Sequence, residues 1–428
     1  MKLKRMKVLI ISKLFPPEKG ARALQISKVV EAIKDKGCEP FVLAGYAKDK
    51  RKNVTIDKSI SLFPIHYISY TASNTGKAFL NRAFNRLKSE IISVNIKSKW
   101  IKNTYFEALE VINFFKPEIL FTSSYPFDSH LVGLLIKRKT QIPWISSFSD
   151  PWPSYIQPCP YNVYDLPILR IFQMAYLKEI LKNSDAIHMT NNIVSELVQN
   201  KCQLFVPEKF FIIPHIRSEI VIKEKRIKKG TIAYVGNLTR ERLSAPVFNA
   251  LKYLALKYKD RMECLLIVGY VCKEFEKFKK KLKIGFFIEE TGYKPNEEAM
   301  RIAASSEILL LIEANMDYSP FLPSKFADYV STGRPIIAVT PKISTVREYI
   351  EQYGGGYAVS HNEREIIGAI IKIFNRKSND DLKKKEGQLE SIAKIFKAEA
   401  VARLYVQMFK QVKRNNSHGQ ILAKEKLY

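Results

Sequence analysis

The sequence predicts an α/β protein made of two doubly wound, Rossmann-like domains that face a cleft. Three observations support this. The chain has 428 residues, which is too long for one ordinary hydrophobic core. It opens with an apolar strand, a loop and a helix leading into a second strand, the order that builds a parallel sheet. The same order of elements starts again at Thr231, although the halves share no sequence repeat.

The first half alternates apolar strands with helices. Residues 7–12 form a continuous apolar strand, and apolar residues three and four apart over 24–36 predict the helix that follows, with Gly37 ending it. The other predicted elements are strands at 40–44, 65–69, 118–123, 144–148, 186–190 and 210–213, and helices at 76–115, 128–138 and 169–181.

The second half repeats this order of elements. Its predicted strands are 231–235, 263–268, 284–289, 308–312 and 336–339, and its predicted helices are 246–258, 275–282, 296–304, 325–331, 364–374 and 392–413. A polar segment rich in lysine and arginine separates the halves. We therefore predict an N-terminal domain at 1–214, a linker at 215–229, a C-terminal domain at 230–390, a helix at 391–413 and a flexible tail at 414–428.

The net charge of +28 predicts an anionic partner, unless most of it belongs to a solvated, lysine-rich surface. We expect no nucleic acid, because helix-turn-helix, zinc-finger and RNP-type signatures are missing. The stretch 77–102 reads as a basic amphipathic helix. It could lie on an anionic membrane, or it could face the core with a solvated outer side.

The location and redox state follow from composition. The sequence lacks an apolar run of the roughly 20 residues that span a bilayer, and Lys13 interrupts the first apolar segment. We predict a cytoplasmic protein, either free or peripheral on the inner face of the cell membrane. The five cysteines are scattered and have no metal or redox spacing, so we predict reduced thiols.

The stretch 322–339 carries the clearest chemistry. It reads as a polar loop, a helix and a buried strand, with Ser324 and Lys325 at the start of the helix and Asp328 one turn later. A hydroxyl and a cation at a helix start suit phosphates, and a carboxylate suits ribose hydroxyls. We predict that Lys325 contacts phosphate, that Asp328 contacts ribose, and that Ser324 caps the helix and donates to phosphate.

The loop after the strand at 231–235 is a second candidate for phosphate binding. Gly236 frees the backbone beside Asn237, and Arg240 and Arg242 precede a helix. Arginines can hold a diphosphate and offset charge on a leaving group. The sequence leaves open which arginine points inward, and whether the loop is simply solvated.

The first half offers three further candidates. Gly20 allows close backbone approach at the start of a helix, in a loop with neither a G-x-G-x-x-G nor a Walker pattern, so a purely structural turn is the alternative. Asp150 follows a buried strand and could act as a base on an acceptor hydroxyl, orient the acceptor, or cap a turn. His215, at the domain junction, could contact a donor or be an ordinary linker residue. For His130 we favour packing or capping.

Several segments together resemble glycosyltransferases of the GT-B fold, family 4 type, in a bacterial subgroup. These segments are Gly20 and its loop, 116–124, 142–144, 150–152, 213–215, 234–238 and 323–335, and the likeness covers 7 to about 409. The resemblance implies transfer of a sugar from a nucleoside diphosphate sugar to an acceptor hydroxyl. It further implies that the C-terminal half holds the donor, the N-terminal half holds the acceptor, and the final helix crosses back to the first domain.

Further expectations follow from the same resemblance. Arg240, Arg242 and Lys325 would stabilise the departing diphosphate in place of a metal, with no cofactor beyond the donor. Retention of configuration is expected, as is a lipid-linked or glycan acceptor in cell-surface polysaccharide or glycolipid synthesis.

One departure from the family pattern concerns its acidic pair. Many members carry two glutamates eight positions apart, and here those positions are Pro320 and Asp328. Glu313 or Asp317 could replace the missing first acid. This departure keeps two alternatives open: a non-catalytic anion- or glycan-binding protein on the same fold, and an epimerase acting on a sugar nucleotide.

Overall fold

The computed structural model describes residues 5–18, 20–47, 63–70, 98–162, 166–219, 227–375 and 388–425. The chain divides into two compact units. The N-terminal unit comprises Met1–Ile156, Val163–Pro214 and Ala398–Tyr428, and the C-terminal unit comprises Gln157–Asn162 and His215–Lys397.

The N-terminal unit is built on a parallel sheet with the strand order β3-β2-β1-β4-β5-β6-β7. Its strands are β1 (Met6–Ser12), β2 (Cys38–Ala47), β3 (Ile65–Tyr70), β4 (Ile119–Ser123), β5 (Trp144–Ser147), β6 (Ala186–Met189) and β7 (Phe210–Ile212). β1 and β4 are buried over most of their length, as expected for parallel strands covered on both faces. The strand order reverses between β1 and β4, where doubly wound sheets bind ligands.

Helices pack on this sheet through apolar side chains. They are α1 (Ala21–Asp35), α2 (Lys99–Phe115), α3 (Asp128–Thr140), α4 (Pro167–Asn183), α5 (Asn192–Cys202) and, from the end of the chain, α13 (Ala398–Glu425). Tyr405 and Phe409 of α13 contact the ring of Phe121 on β4 edge to face, with centroids 5.9 and 6.0 Å away. The chain therefore finishes in the unit in which it began.

The C-terminal unit repeats the architecture with the strand order β10-β9-β8-β11-β13-β15, again parallel. Its strands are β8 (Lys228–Val235), β9 (Cys264–Val268), β10 (Ile288–Gly292), β11 (Ser306–Ile312), β13 (Ile336–Val339) and β15 (Gly356–Val359), with a short parallel ribbon of β12 (Tyr318–Ser319) and β14 (Ile343–Ser344).

The helices of the C-terminal unit cover both faces of its sheet. They are α6 (Ala245–Lys257), α7 (Glu274–Leu282), α8 (Asn296–Ser305), α9 (Ser324–Val330), α10 (Thr345–Tyr353), α11 (Glu363–Phe374) and α12, which covers 388–395. Here the order of the strands reverses between β8 and β11. Of the helices in the described part of the chain, none combines the length and apolar composition that crossing a membrane requires.

The predicted fold class, two Rossmann-like α/β units with parallel sheets, is confirmed. The sequence pattern did not predict α5, α10 and β15, which are short or carry few apolar residues. The predicted strand at 284–289 begins before β10 does, because a 3₁₀ turn at Gly285–Phe287 precedes the strand. Most of the predicted basic helix at 77–102 and the residues 220–226 of the predicted linker lie outside the described residues.

The structure differs from the predicted boundaries at three places. Residues 157–162 belong to the C-terminal unit, where Tyr161 packs edge to face on Phe321 with centroids 5.1 Å apart. The predicted helix at 391–413 is broken at 396–397, because Phe396 is buried against Phe326 in the C-terminal unit. The predicted tail at 414–428 is helical as far as Glu425, consistent with the strong helix formers at 420–425.

Candidate functional site

The candidate site of the C-terminal unit starts at the loop after β8, at the reversal of strand order. Gly236 has φ 109°, a conformation that glycine tolerates and other residues rarely adopt. A Cβ placed on neighbouring Gly269 would stand 2.6 Å from the Gly236 carbonyl oxygen, so the two loops pack backbone to backbone. This packing holds the Gly236 loop at the carboxyl edge of the sheet.

Lys325 of α9 places its ammonium group against this loop. Its Nζ is 4.0 Å from the centroid of the Tyr234 ring and would be 3.2 Å from a Cβ on Gly236. Although part of the side chain is exposed, Nζ itself is buried and has no hydrogen-bond partner. Burial, together with the positive charge of Arg242, holds the pKa of the Lys325 ammonium well below its ordinary value. A buried amine without acceptors is costly unless a ligand supplies them.

Arg242, and not Arg240, points into the site. Its Nη1 donates to the Asn237 carbonyl oxygen at 3.0 Å, while its Nε is buried without a partner. Burial alone would lower the pKa of Arg242, but electrostatic interaction with Tyr234 and Tyr161 outweighs it and the pKa is raised. Arg242 therefore stays charged. The side chains of Arg240 and Asn237 are exposed.

Ser324 does not make the predicted helix cap, and Asp328 makes a contact within the C-terminal unit. The residue at the N-cap of α9 is Pro323, and Ser324 is the first helical residue and makes no cap, because capping needs the extended backbone that Pro323 has. Asp328 is buried, and its Oδ1 accepts the backbone N–H of Ser218 at 2.6 Å. This contact ties the segment that enters the C-terminal unit to α9.

Glu313 follows β11 and is 4% exposed. Its carboxylate accepts hydrogen bonds from the hydroxyls of Ser319 and Ser344, each at 2.5 Å, and Ser344 also caps α10. Burial raises the pKa of Glu313 to about 7, although both serines and the positive charge of Arg242 oppose the shift. Asp317, in contrast to Glu313, is exposed, so the two candidate replacement acids lie in opposite environments.

The N-terminal unit places the remaining candidates around the ends of its strands. Asp150 is exposed just after β5, and Ser149 donates to its Oδ2 at 3.0 Å. Gly20 precedes α1 with φ 144° and makes no side-chain cap. His130 is buried inside α3, in contact with Phe148, and its Nδ1 is 2.7 Å from Thr122 Oγ1, which agrees with a packing role. His215 is half-buried at the start of the C-terminal unit.

Two residues near the Gly236 loop were missed by sequence reasoning. Tyr234 reads as one more buried strand residue, and the sequence carries no signal that its ring faces a lysine. His361 follows β15, and its Nδ1 is 2.7 Å from Ser244 Oγ at the start of α6. A polar residue directly after a parallel strand was the available signal for His361. Within the described residues, no group of three or more His, Cys, Asp or Glu side chains is arranged to hold a metal ion.

No family model matches the sequence, and no curated protein matches it. Solved structures do. A glycosyltransferase from Rickettsia africae has a TM-score of 0.65 at 16% identity, over 96% of this chain and 100% of its own. Sucrose-phosphate synthase from Thermosynechococcus elongatus has a TM-score of 0.67 at 14% identity, over 95% of this chain and 99% of its own. Anabaena HepE, solved with UDP and glucose, has a TM-score of 0.59 at 11% identity, over 96% of this chain and 100% of its own.

At these identities the likeness shows the fold. The chain has the α/β fold with two Rossmann-like halves that GT-B glycosyltransferase structures have, so the predicted GT-B fold is confirmed. Assignment to family 4 and a bacterial origin stay predictions.

Proposed function

We propose that this chain is a glycosyltransferase that moves a sugar from a nucleoside diphosphate sugar to an acceptor hydroxyl, and that the C-terminal unit binds the donor. The observation that carries the proposal is the buried Lys325 Nζ, which has no hydrogen-bond partner beside the Gly236 loop and Arg242. An arginine that stays charged and a lysine that a bound anion would protonate, both with unused donors at a strand-order reversal, match a diphosphate in charge and position.

The reaction breaks the bond between the anomeric carbon and the diphosphate oxygen and forms one to the acceptor oxygen. The diphosphate leaves with the bonding electrons, and negative charge grows on it. Lys325 and Arg242 offset that charge, which is the role a divalent metal would otherwise take, so we propose a metal-independent reaction without a further cofactor. Arg240, exposed in this structure, is the weaker catalytic candidate.

The N-terminal unit is proposed to hold the acceptor. Asp150 stands exposed at the end of β5, where it can accept the acceptor proton or orient the hydroxyl. Retention of configuration, membership of family 4 and a role in bacterial cell-surface polysaccharide or glycolipid synthesis rest on the resemblance of the sequence motifs.

A peripheral position on an anionic membrane is supported by the charge of +28 and by one side of α4. Ile168, Ile171 and Phe172 lie there with helical spacing, and each is at least half exposed. Lys178 follows them and is also exposed.

We expect Phe172→Glu to reduce sedimentation with vesicles containing anionic lipid, while the matched change Phe286→Glu in the C-terminal unit does not. Equal sedimentation of both variants would remove α4 as the contact.

The non-catalytic alternative keeps one supporting observation. Pro320 occupies the place of an acid, and the nearby Glu313 has both carboxylate oxygens engaged by serines. Such a protein would bind nucleotide sugars without consuming them.

The experiment is a transfer assay with UDP-, GDP- and ADP-sugars and a lipid and glycan extract, followed by mass spectrometry. The proposal expects nucleoside diphosphate and glycosylated product in equal amounts, with both lost in Lys325→Met and kept in the exposed control Lys277→Met. Binding of a donor without either product would favour the non-catalytic alternative. Conversion of the donor without any acceptor, either into an isomeric sugar nucleotide or, with uptake of water, into free nucleotide and free sugar, would favour the epimerase.

A further inference from the structure

Arg22 lies in the first turn of α1, at the carboxyl edge of the sheet in the N-terminal unit. Its Nη2 donates to Ser123 Oγ at 2.8 Å, and its Nε is buried with no hydrogen-bond partner. Among the residues that the structure describes, no carboxylate lies within ion-pair distance of it. The residue is half-buried, and its environment is energetically costly, because its charge has only a neutral hydroxyl as partner and its buried Nε–H has no acceptor.

The position of Arg22 is one that favours ligand binding. Ser123 ends β4 and pairs with Ser12 at the end of β1, the two strands between which the order reverses. His130 is fully buried beside them, and its Nε2 makes no hydrogen bond of normal geometry, although the Ser147 carbonyl faces the ring. Two buried nitrogens with unmet hydrogen bonding therefore lie at the same end of β4 and β5.

The neighbouring charges leave Arg22 uncompensated. Lys13 is paired with Asp128 at 2.7 Å. Burial, reinforced by the charge of Arg22, lowers the pKa of His130 to about 3, and burial lowers that of His188 to about 4, so both rings are neutral near pH 7. Burial lowers the pKa of Arg22, and Asp150 opposes that shift only from beyond ion-pair distance. Among the residues that the structure describes at this edge, Arg22 is therefore a cation without a carboxylate at ion-pair distance.

We infer that Arg22 forms an anion subsite for a phosphate group of a substrate. The planar fork of arginine presents paired donors that match phosphate oxygens, and Ser123 adds a hydroxyl beside it. The role rests on the proposed function: the phosphate belongs either to the acceptor, which would then be a phosphorylated molecule, or to the diphosphate of the donor.

The test separates this subsite from the one in the C-terminal unit. The full chain carrying Lys325→Met and Arg242→Gln, called the silent background, is titrated with inorganic phosphate against chloride at equal ionic strength. We expect phosphate to raise the melting temperature of the silent background. Adding Arg22→Gln should weaken phosphate binding at least about tenfold, whereas adding the exposed control Arg403→Gln should leave it unchanged.

Two results would overturn the inference: no phosphate binding by the silent background, or equal binding with and without Arg22→Gln. If Arg22→Gln does not fold, the silent background labelled with ¹⁵N-arginine replaces it. Phosphate should then move a solvent-protected Nε–H signal, and unmoved signals would count against the subsite.

A second arm identifies the source of the phosphate. Arg22→Gln alone is titrated with UDP, GDP and ADP. Unchanged affinity assigns the subsite to the acceptor, and affinity at least about tenfold weaker assigns it to the donor diphosphate. Phosphate binding is measured in the silent background, whereas nucleotide binding is measured with Lys325 intact. The inference about Arg22 can therefore fail while the donor site at Lys325 stands, and the donor site can fail while phosphate still binds at Arg22.

Discussion

The ammonium nitrogen of Lys325 lies 4.0 Å from the centroid of the Tyr234 ring. The ring face attracts the cation without using its N–H groups, so the three donors stay available for a ligand. Because Tyr234 is itself fixed in β8, the lysine is held in place before any ligand arrives. The site is thus preorganised around a lysine whose positive charge an anionic ligand would stabilise.

Gly236→Ala should damage both folding and binding. The backbone there has φ 109°, and the new Cβ would meet Lys325 Nζ at 3.2 Å. We expect a loss of roughly 1–2 kcal/mol in the free energy of unfolding, measured by urea denaturation, and weaker nucleotide affinity by calorimetry. The matched control is Gly285→Ala, where a Cβ meets nothing within 4 Å. Equal effects of the two changes would contradict the packing of Lys325 against Gly236.

Nucleotide binding should take up a proton and weaken as pH rises. The pKa of Lys325 is well below its ordinary value in the free protein, and a bound diphosphate would raise it. Between these two pKa values, affinity should fall by up to about tenfold per pH unit, whereas below both values it should be independent of this group. Calorimetry in buffers of different ionisation enthalpy measures the proton directly. In Lys325→Met the uptake should disappear, and persistence of the full uptake there would assign it elsewhere.

The two arginines of the Gly236 loop should differ in importance. Arg242 points inward and Arg240 is exposed. Arg242→Gln should weaken nucleoside diphosphate binding by about ten- to a hundredfold, as expected for a lost charged hydrogen bond, and Arg240→Gln by less than about threefold. Both affinities come from the same calorimetric titration. A larger effect of Arg240→Gln would mean that the loop rearranges on binding.

Glu313 should make stability depend on pH. Its pKa in the folded protein is raised to about 7, so its contribution is complete below the unfolded value of 4.5 and is lost as pH rises through 7. The change amounts to about 3 kcal/mol across that window. Glu313→Gln should remove this dependence. In urea denaturation, the free energy of unfolding of the variant should therefore rise relative to that of the wild type between pH 5 and pH 8. Parallel profiles would show that the carboxyl ionises without cost.

The sequence predicted the fold well because parallel strands covered on both faces are continuous apolar runs. β1 and β11 stand out for this reason, and the helices between the strands show apolar residues three and four apart. α5 was missed because it is short and its start depends on the Asn191 side chain, which accepts from the Val194 N–H.

The candidate site was predictable in type and less so in detail. Lys325 stood out because a cation follows a polar loop at a helix start. The inward direction of Arg242 depends on the 3₁₀ turn Arg240–Arg242, whose geometry local sequence does not reveal. The contact of Asp328 with the Ser218 amide joins residues 110 positions apart, and no local pattern reports such a pairing.

The most direct test of the account is a thermal-shift panel of UDP, GDP, ADP, CMP and their sugars on the wild type, Lys325→Met and Lys277→Met. We expect one nucleoside diphosphate and its sugar to raise the melting temperature of the wild type and of Lys277→Met, and we expect no response from Lys325→Met. An equal shift in Lys325→Met, or no shift with any nucleotide in the wild type, would contradict a donor site built on Lys325.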